Sequence, residues 1–310
     1  MEKTCVRTHA VGEVCVITID NPPINASSMA VRHGLMVAID TLTKDVNFKA
    51  GVIIGAGTTF VAGSDLREFG LPLPSPHLPE VILAIEHCPK PVVAALHGAA
   101  LGGGFELALA CDARVAAKDT MVGLPEVSLG IIPGAGGTQR LPRRVGIAKA
   151  IQLICSAQRI SATEASALNL VDEVVTGDLL TAAIAYALAL KGQKQRIRDE
   201  AVLTEDQSLV KQAAENAMRM GKGRPAVESA IDIIRSSQLL RMTIKAMRWA
   251  ALTWLQITRR TRSPSMPKVG VNTMEPCCSK CWTRTAMHKT TTMKPVGQTK
   301  ISPPHFERPA

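Results

Sequence analysis

The stretch ALGGGFELALACD, residues 100–112, places three glycines and then one acid, Glu106, inside an apolar run. Glycine is unfavourable in the interior of a helix, and an unpaired carboxylate is costly to bury. The glycines therefore predict a tight turn from a buried strand into a helix, with free backbone N–H groups at the helix N-terminus. Such an end suits a developing oxyanion. The alternative interpretation is that the glycines only allow close packing and Glu106 complements the helix dipole.

A second stretch, GLPEVSLGIIPGAGGTQRLPRRVG at 123–146, places another acid, Glu126, next to a proline and before a further glycine-rich turn. Two carboxylates in differently shaped backbone surroundings suit general acid and base chemistry, provided that they converge on one pocket. A third stretch, FVAGSDL at 60–66, offers another loop N–H group at Ser64. The three stretches together predict an active site with paired glutamates.

The rest of the chain alternates short apolar strands with helices, which predicts an α/β fold. The patterns predict strands at 13–19, 50–57, 90–98, 113–119 and 170–175. They predict helices at 29–44, 80–88, 138–156 with a break near Gly146, 178–190 and 205–220. Ser161 and Glu164 have the spacing of a capping box, which marks a further helix start.

The three glycine-rich stretches, with KPVVAALHG at 90–98 preceding the first, resemble the crotonase superfamily of enoyl-CoA hydratases and isomerases. The resemblance covers roughly residues 5–190. It is strongest to the N-terminal hydratase region of multifunctional fatty-acid oxidation proteins. It implies an α/β fold built as a spiral of ββα turns, followed by a helical C-terminal region.

The resemblance also assigns a role to four residues. The N–H groups of Ser64 and Gly103 would bind the thioester carbonyl of an acyl-CoA. Glu106 matches the glutamate that activates water for attack at C3, and Glu126 matches the one that exchanges a proton at C2. Further contacts to CoA and the acyl chain fall on Ala62, Asp65, Leu66, Gly102 and Gly134. The implied reaction needs no metal and no separate cofactor, because CoA is part of the substrate.

The function expected on this basis is hydration of trans-2-enoyl-CoA in fatty-acid β-oxidation. Alternatives are Δ3,Δ2-isomerisation or another crotonase-type acyl-CoA reaction, and, in a different class, non-catalytic binding of acyl-CoA or nucleic acid. The stretch GVIIGAGTTF at 51–60 superficially matches a dinucleotide fingerprint. It has Phe60 in place of the third glycine, which disfavours nicotinamide binding.

The positive charge is concentrated in the last part of the chain. Residues 241–310 hold 13 Lys and Arg against 2 Asp and Glu, whereas residues 1–240 hold 23 and 24. The near-neutral first part argues against a nucleic-acid footprint there. The break predicts a catalytic core at 1–190, a helical region at 191–240 and a basic tail at 241–310.

The tail has three open interpretations: a disordered extension, the product of a changed reading frame, or a binding segment. Its CCSKC cluster with His288 is a weak zinc signal, because a matching second pair is missing. No apolar run of about 18 residues predicts a membrane span, and the N-terminus does not resemble a secretory signal. We therefore expect a cytoplasmic protein. The resemblance implies a homotrimer formed through C-terminal helices, which here lead into the basic tail.

Overall fold

Two β-sheets and the helices that cover them form the part of the chain that the structure describes. The structure is a computed structural model, and it describes residues 4–68 and 74–238. Its strands are β1 (Val6–Val11), β2 (Val14–Ile19), β3 (Ala50–Gly55), β4 (Val61–Ala62), β5 (Val92–Leu96), β6 (Ala99–Leu101), β7 (Ala113–Ala117), β8 (Met121–Gly123), β9 (Arg159–Ser161) and β10 (Glu173–Val175). Its α-helices are α1 (Met29–Lys44), α2 (Leu78–His87), α3 (Gly103–Ala110), α4 (Gly137–Val145), α5 (Ile147–Cys155), α6 (Ala162–Ala167), α7 (Leu179–Ala189), α8 (Gln207–Gly221) and α9 (Pro225–Ser236).

The central strands of the larger sheet, β2, β3, β5 and β7, are buried on both faces. Its strand order is β1-β2-β3-β5-β7-β10, and all neighbours are parallel except the β1–β2 hairpin. Successive side chains of β2 alternate between the faces: Val14 and Val16 join a cluster with α7, whereas Cys15, Ile17 and Ile19 join the main core with α1 and α2. Burial of both faces explains why these strands read as nearly continuous apolar runs.

The smaller sheet positions the site. Its order is β4-β6-β8-β9, with β4, β6 and β8 parallel and β9 antiparallel to β8. The carboxyl ends of the three parallel strands therefore meet at one edge. Ser64 follows β4, Gly103 follows β6 and Glu126 follows β8 at this edge. Neighbouring strands lie about 4.8 Å apart, so residues far apart in the chain come together here.

The α/β prediction is confirmed, and the long elements lie close to their predicted bounds. The helix predicted at 138–156 breaks at Gly146, whose φ of +80° separates α4 from α5. The capping box is present: Ser161 Oγ accepts from Glu164 N at 3.2 Å, and the Glu164 carboxylate accepts from Ser161 N at 2.8 Å. The edge strand β1 and the short strands of the smaller sheet were not predicted as separate strands.

The helices after residue 200 pack on the same core as the sheets. α8 and α9 both contact α5, and Val227 and Ile231 of α9 belong to the main apolar cluster. The predictions for residues 241–310, including CCSKC and His288, lie outside the described residues. Within 4–68 and 74–238, no helix combines the length and the apolar character needed to cross a membrane.

Candidate active site

Two backbone N–H groups are brought together at the edge of the smaller sheet. Gly103 is the first residue of α3, so its N–H has no partner within the helix. A Cβ built on Gly103 would lie 2.9 Å from Ser64 Oγ and 3.9 Å from Ser64 N, so the two amides are neighbours. The Ser64 amide makes no hydrogen bond to any described residue. Ser27 N donates to Gly63 O at 3.0 Å and holds the Ser64 loop in place.

Glu106 lies in the first turn of α3, where the sequence predicts it, and it is only 2% exposed. Its Oε1 accepts two backbone hydrogen bonds, from Ala135 N at 2.8 Å and from Gly137 N at 2.7 Å. Burial raises the pKa of Glu106, while these two hydrogen bonds and the positive charge of Arg140 oppose the rise. The carboxylate is thus held in one orientation.

Glu126 begins the short 3-10 helix Glu126–Leu129 that follows β8. Its Oε2 is buried and has no hydrogen-bond partner among the described residues. Burial raises the pKa of Glu126 well above 4.5, and the negative charge of Glu106 raises it further. Burial raises the pKa of both carboxyl groups, but two backbone hydrogen bonds and Arg140 favour the ionised form of Glu106, whereas Glu126 Oε2 has no such partner and the pKa of Glu126 is raised further.

One cavity of about 810 Å³ collects these groups. The nine residues predicted for the site all line it: Ala62, Ser64, Asp65, Leu66, Gly102, Gly103, Glu106, Glu126 and Gly134. Asp65 is turned toward Arg67, whose side chain donates to both carboxylate oxygens and lowers the pKa of Asp65. Most of the remaining wall is apolar, with Leu78, Leu101 and Ile132 among its residues. A cavity of this size with a few convergent polar groups suits a small organic substrate.

Comparison with known proteins identifies the family to which the chain belongs. The sequence profile described as enoyl-CoA hydratase/isomerase matches residues 9–220. The chain belongs to the enoyl-CoA hydratase/isomerase family. The match includes every residue that the sequence predicts for the site, and it confirms the resemblance to the crotonase superfamily.

Curated members of this family fall into two groups of different length. A peroxisomal bifunctional enzyme of Danio rerio is 47% identical over 191 residues, which are 62% of this chain and 27% of that protein. A probable enoyl-CoA hydratase of Bacillus subtilis is 45% identical over 185 residues, which are 57% of this chain and 72% of that protein. The chain therefore aligns with about a quarter of the longer relative and with most of the shorter one.

Solved structures of family members share the fold. An enoyl-CoA hydratase of Bacillus anthracis superposes with a TM-score of 0.56 at 29% identity, covering 84% of this chain and 98% of its own. One from Mycobacterium avium superposes with a TM-score of 0.58 at 26% identity, covering 83% and 98%. These likenesses confirm the crotonase-like α/β fold.

Sequence reasoning missed the buried ion pair next to the loop whose amides bind Glu106. Arg140 of α4 is fully buried and donates to Ala135 O at 3.0 Å, and it is paired with the buried Glu86 of α2 at 2.7 Å. A signal existed, because Glu86 is an acid on an otherwise apolar face of α2. Its partner could not be read from the sequence, because Arg140 is 54 residues away.

Sequence reasoning also missed Arg32, which ties the Ser64 loop to its surroundings. The Arg32 side chain donates to Ser27 O at 2.9 Å, to Glu68 Oε2 at 2.7 Å and to Pro76 O at 2.7 Å. These hydrogen bonds connect the start of α1 to Glu68 and to Pro76, which lie on either side of residues 69–73. A lone arginine on the buried face of a helix was the available signal.

Other polar residues of interest have structural surroundings. His97 Nε2 is 3.0 Å from Gly55 O, at the end of the neighbouring strand β3. Burial raises the pKa of the Cys111 thiol to about 12, which disfavours the reactive thiolate. Within residues 4–68 and 74–238, no three His, Cys, Asp or Glu side chains cluster as metal ligands would.

Proposed function

We propose that this protein is an enoyl-CoA hydratase that adds water across the C2–C3 double bond of a trans-2-enoyl thioester. The observation that carries the proposal is the pair of glutamates, one with a hydrogen-bonded carboxyl group and one with an unpartnered Oε2, in the cavity that also holds the Ser64 and Gly103 amides. Enzymes separate acid and base roles by placing two titratable groups in environments that drive their pKa values apart.

The proposed reaction begins at the thioester carbonyl, which accepts hydrogen bonds from Ser64 N–H and Gly103 N–H. Glu106, as a carboxylate, takes a proton from water while the water oxygen bonds to C3. The π electrons move toward C2, and negative charge develops on the carbonyl oxygen, where the two amides stabilise it. Glu126 then gives its proton to C2. Release of a proton from Glu106 and uptake of one by Glu126 restore the starting state.

CoA enters this proposal as part of the substrate, and the steps drawn above use neither a metal nor a nicotinamide. Ala62, Asp65, Leu66, Gly102 and Gly134 would contact the pantetheine and acyl portions, a role supported by their place on the cavity wall. Fatty-acid β-oxidation is the proposed pathway. It is supported by a peroxisomal fatty acid β-oxidation multifunctional protein of Arabidopsis thaliana, 39% identical over 237 residues, 71% of this chain and 33% of that protein.

Δ3,Δ2-isomerisation is the second candidate, and the unpartnered Oε2 of Glu126 favours it. This atom could move a proton between C4 and C2 without help from water. Hydration remains the first candidate because Glu106 is also present and is oriented by two amides. A protein that only binds acyl-CoA would gain nothing from burying two carboxyl groups, each at a cost in stability. For location, the B. subtilis relative supports our cytoplasmic proposal, whereas other relatives are named peroxisomal.

The test is loss of the conjugated enoyl-thioester absorbance of crotonyl-CoA, with the wild-type chain and three Glu→Gln variants. Glu106→Gln and Glu126→Gln should each lower kcat by roughly 10²- to 10⁴-fold, because each removes a general acid or base. Glu173→Gln is the control, since Glu173 is exposed on β10 and does not line the cavity. Wild-type kcat in Glu126→Gln, or in Glu106→Gln, would contradict the roles assigned to them.

A further inference from the structure

Arg140 lies behind Glu106 and outside the cavity, in the first turns of α4. Its guanidinium group donates twice to Glu86 Oε1, from Nε at 3.0 Å and from Nη2 at 2.7 Å. The remaining nitrogen, Nη1, donates to the Ala135 carbonyl at 3.0 Å. Both charged side chains are buried, Arg140 at 0% and Glu86 at 1% exposure. The planar fork of arginine is therefore used to hold a carboxylate and a loop carbonyl at once.

Ala135 links this fork to Glu106. Its carbonyl accepts from Arg140, while its own N–H donates to Glu106 Oε1 at 2.8 Å. Gly137 N donates to the same oxygen at 2.7 Å, and Gly136 between them has a φ of +105°. The loop has few side chains to orient it, so the hydrogen bonds to Arg140 on one side and to the Glu106 carboxylate on the other are among its main fixed points.

Four buried or half-buried charges alternate in sign along this path. Arg198 donates to Glu86 Oε2 at 2.9 Å, Glu86 binds Arg140, and the positive charge of Arg140 acts on Glu106. Buried charges are tolerated when they are paired and hydrogen-bonded in this manner.

We propose that Arg140 is a positioning residue for Glu106, acting through the 134–137 loop whose two amides hold the Glu106 carboxylate. The inference rests on the proposed function, in which Glu106 activates water. Arg140 fixes where the carboxylate points, and its charge favours the ionised form that a base requires. Displacing a catalytic group by about 1 Å can cost a factor of 10² in rate.

The proposal makes a prediction that depends on the charged groups around Glu106. Glu126 faces Glu106 across the cavity, and Arg140 faces it from α4. Arg140 pairs with Glu86 of α2, which also binds Arg198 of the 3-10 helix Ile197–Asp199, and the charge of Arg140 acts on Arg143 of its own helix. Loss of a positive charge from this group should raise the pKa of Glu106, and loss of a negative charge should lower it.

The experiment compares kcat and the acidic limb of the pH profile of kcat/KM, with crotonyl-CoA, for three variants. Arg140→Gln should lower kcat roughly 10- to 100-fold and move the acidic limb to higher pH, because Glu106 loses its positive neighbour. Arg140→Lys keeps the charge but cannot form the fork, so kcat should fall while the limb stays near its wild-type position. Glu86→Gln should move the limb in the opposite direction, to lower pH.

Arg114→Gln is the matched control for the loss of a buried arginine. Arg114 is also fully buried and is paired with Asp172 at 2.5 Å, and its other side-chain hydrogen bonds go to Ala108 O and Cys111 O at the end of α3 rather than to the 134–137 loop or Glu106. It should lower the melting temperature without moving the acidic limb. A purely structural Arg140 would behave like this control. Acidic limbs that coincide with wild type in Arg140→Gln or in Glu86→Gln would overturn the proposal, and so would a wild-type kcat in Arg140→Lys.

A second measurement keeps this inference separate from the proposed function. The ionisation of Glu106 can be followed by ¹³C NMR without substrate, in the Glu126→Gln background, with and without Arg140→Gln. A higher Glu106 pKa in the double variant supports the inference, whether or not the wild-type chain hydrates crotonyl-CoA. Failure of the wild-type chain to hydrate crotonyl-CoA would overturn the proposed function alone. Equal Glu106 pKa values in Glu126→Gln and in the double variant, together with an active wild-type chain, would overturn the inference alone.

Discussion

At the scale of single residues, the site depends on the contrast between Glu106 and Glu126. Both are glutamates in the same cavity, yet two backbone amides bind Glu106 Oε1, whereas Glu126 Oε2 has no partner among the described residues. The glycine-rich turn beside each glutamate raised the hypothesis that the two side chains converge, and the family resemblance made it an expectation. The sequence could not predict their different surroundings, since the amides that distinguish them come from Ala135 and Gly137, about 30 residues from Glu106 along the chain.

The raised pKa of Glu126 predicts how Glu126→Gln changes stability with pH. The folded state holds the proton of Glu126 more tightly than the unfolded chain, where the pKa is near 4.5. Below that pH both states are protonated, and Glu126 has no net effect. As pH rises toward the folded-state pKa, ionisation favours the unfolded chain and wild-type stability falls. Glu126→Gln should therefore be more stable than wild type at pH 8, with a gap that closes toward pH 4.

Urea unfolding of the two proteins across this pH range measures the difference in their free energies of unfolding. In a thermal experiment, each 1 kcal/mol of this difference would appear as a shift of about 2–4 °C in melting temperature for a domain of this size. Glu173→Gln serves as the control, because this exposed carboxyl group should leave the pH dependence as in wild type. A gap that stays constant between pH 4 and pH 8 would show that Glu126 is not held in its protonated form.

At the scale of elements, long strands and helices were predictable and the smaller sheet was not. β2, β3 and β5 are buried on both faces and stand out as apolar runs, and α1 begins at the capping residue Ser28. β4 has two residues, and β6, β8 and β9 have three each, too few to show an alternating pattern. These strands form because distant neighbours supply their hydrogen-bond partners. The edge strand β1 was missed because its burial does not alternate.

The turn from β6 into α3 predicts a strong effect of Gly102→Ala. Gly102 has a φ of +52° and a ψ of −127°, and an added Cβ would lie 3.1 Å from Glu126 Oε1. The backbone strain alone should cost about 1–3 kcal/mol of stability. Displacement of Glu126 should also lower kcat well beyond what the loss of stability explains, as measured by crotonyl-CoA turnover of the folded variant.

Gly12→Ala is the control for the backbone strain. Gly12 has a similar φ of +55° in the β1–β2 turn, and its added Cβ would meet no atom within 4 Å. This variant should lose stability but keep its kcat. Equal kcat values for the two glycine variants would mean that Gly102 only permits the turn and does not make room for Glu126.

At the scale of the whole molecule, the groups that act in the proposed reaction come from four places in the chain, near positions 64, 103, 126 and 135, and further segments complete the cavity wall. Composition and periodicity predict the α/β class, but they cannot predict that these four parts meet. Their convergence was expected only from the resemblance to a known family, whose profile matches residues 9–220. The homotrimer and the three interpretations of residues 241–310 stay predictions.

The central claim is that a protonated Glu126 and an ionised Glu106 act together on an enoyl thioester. The most direct test is the pH dependence of kcat/KM for crotonyl-CoA hydration by the full wild-type chain. The account predicts a bell-shaped profile, falling on the acidic side as Glu106 is protonated and on the basic side as Glu126 ionises. No hydration by the folded chain at any pH, or a profile without a basic limb, would contradict it.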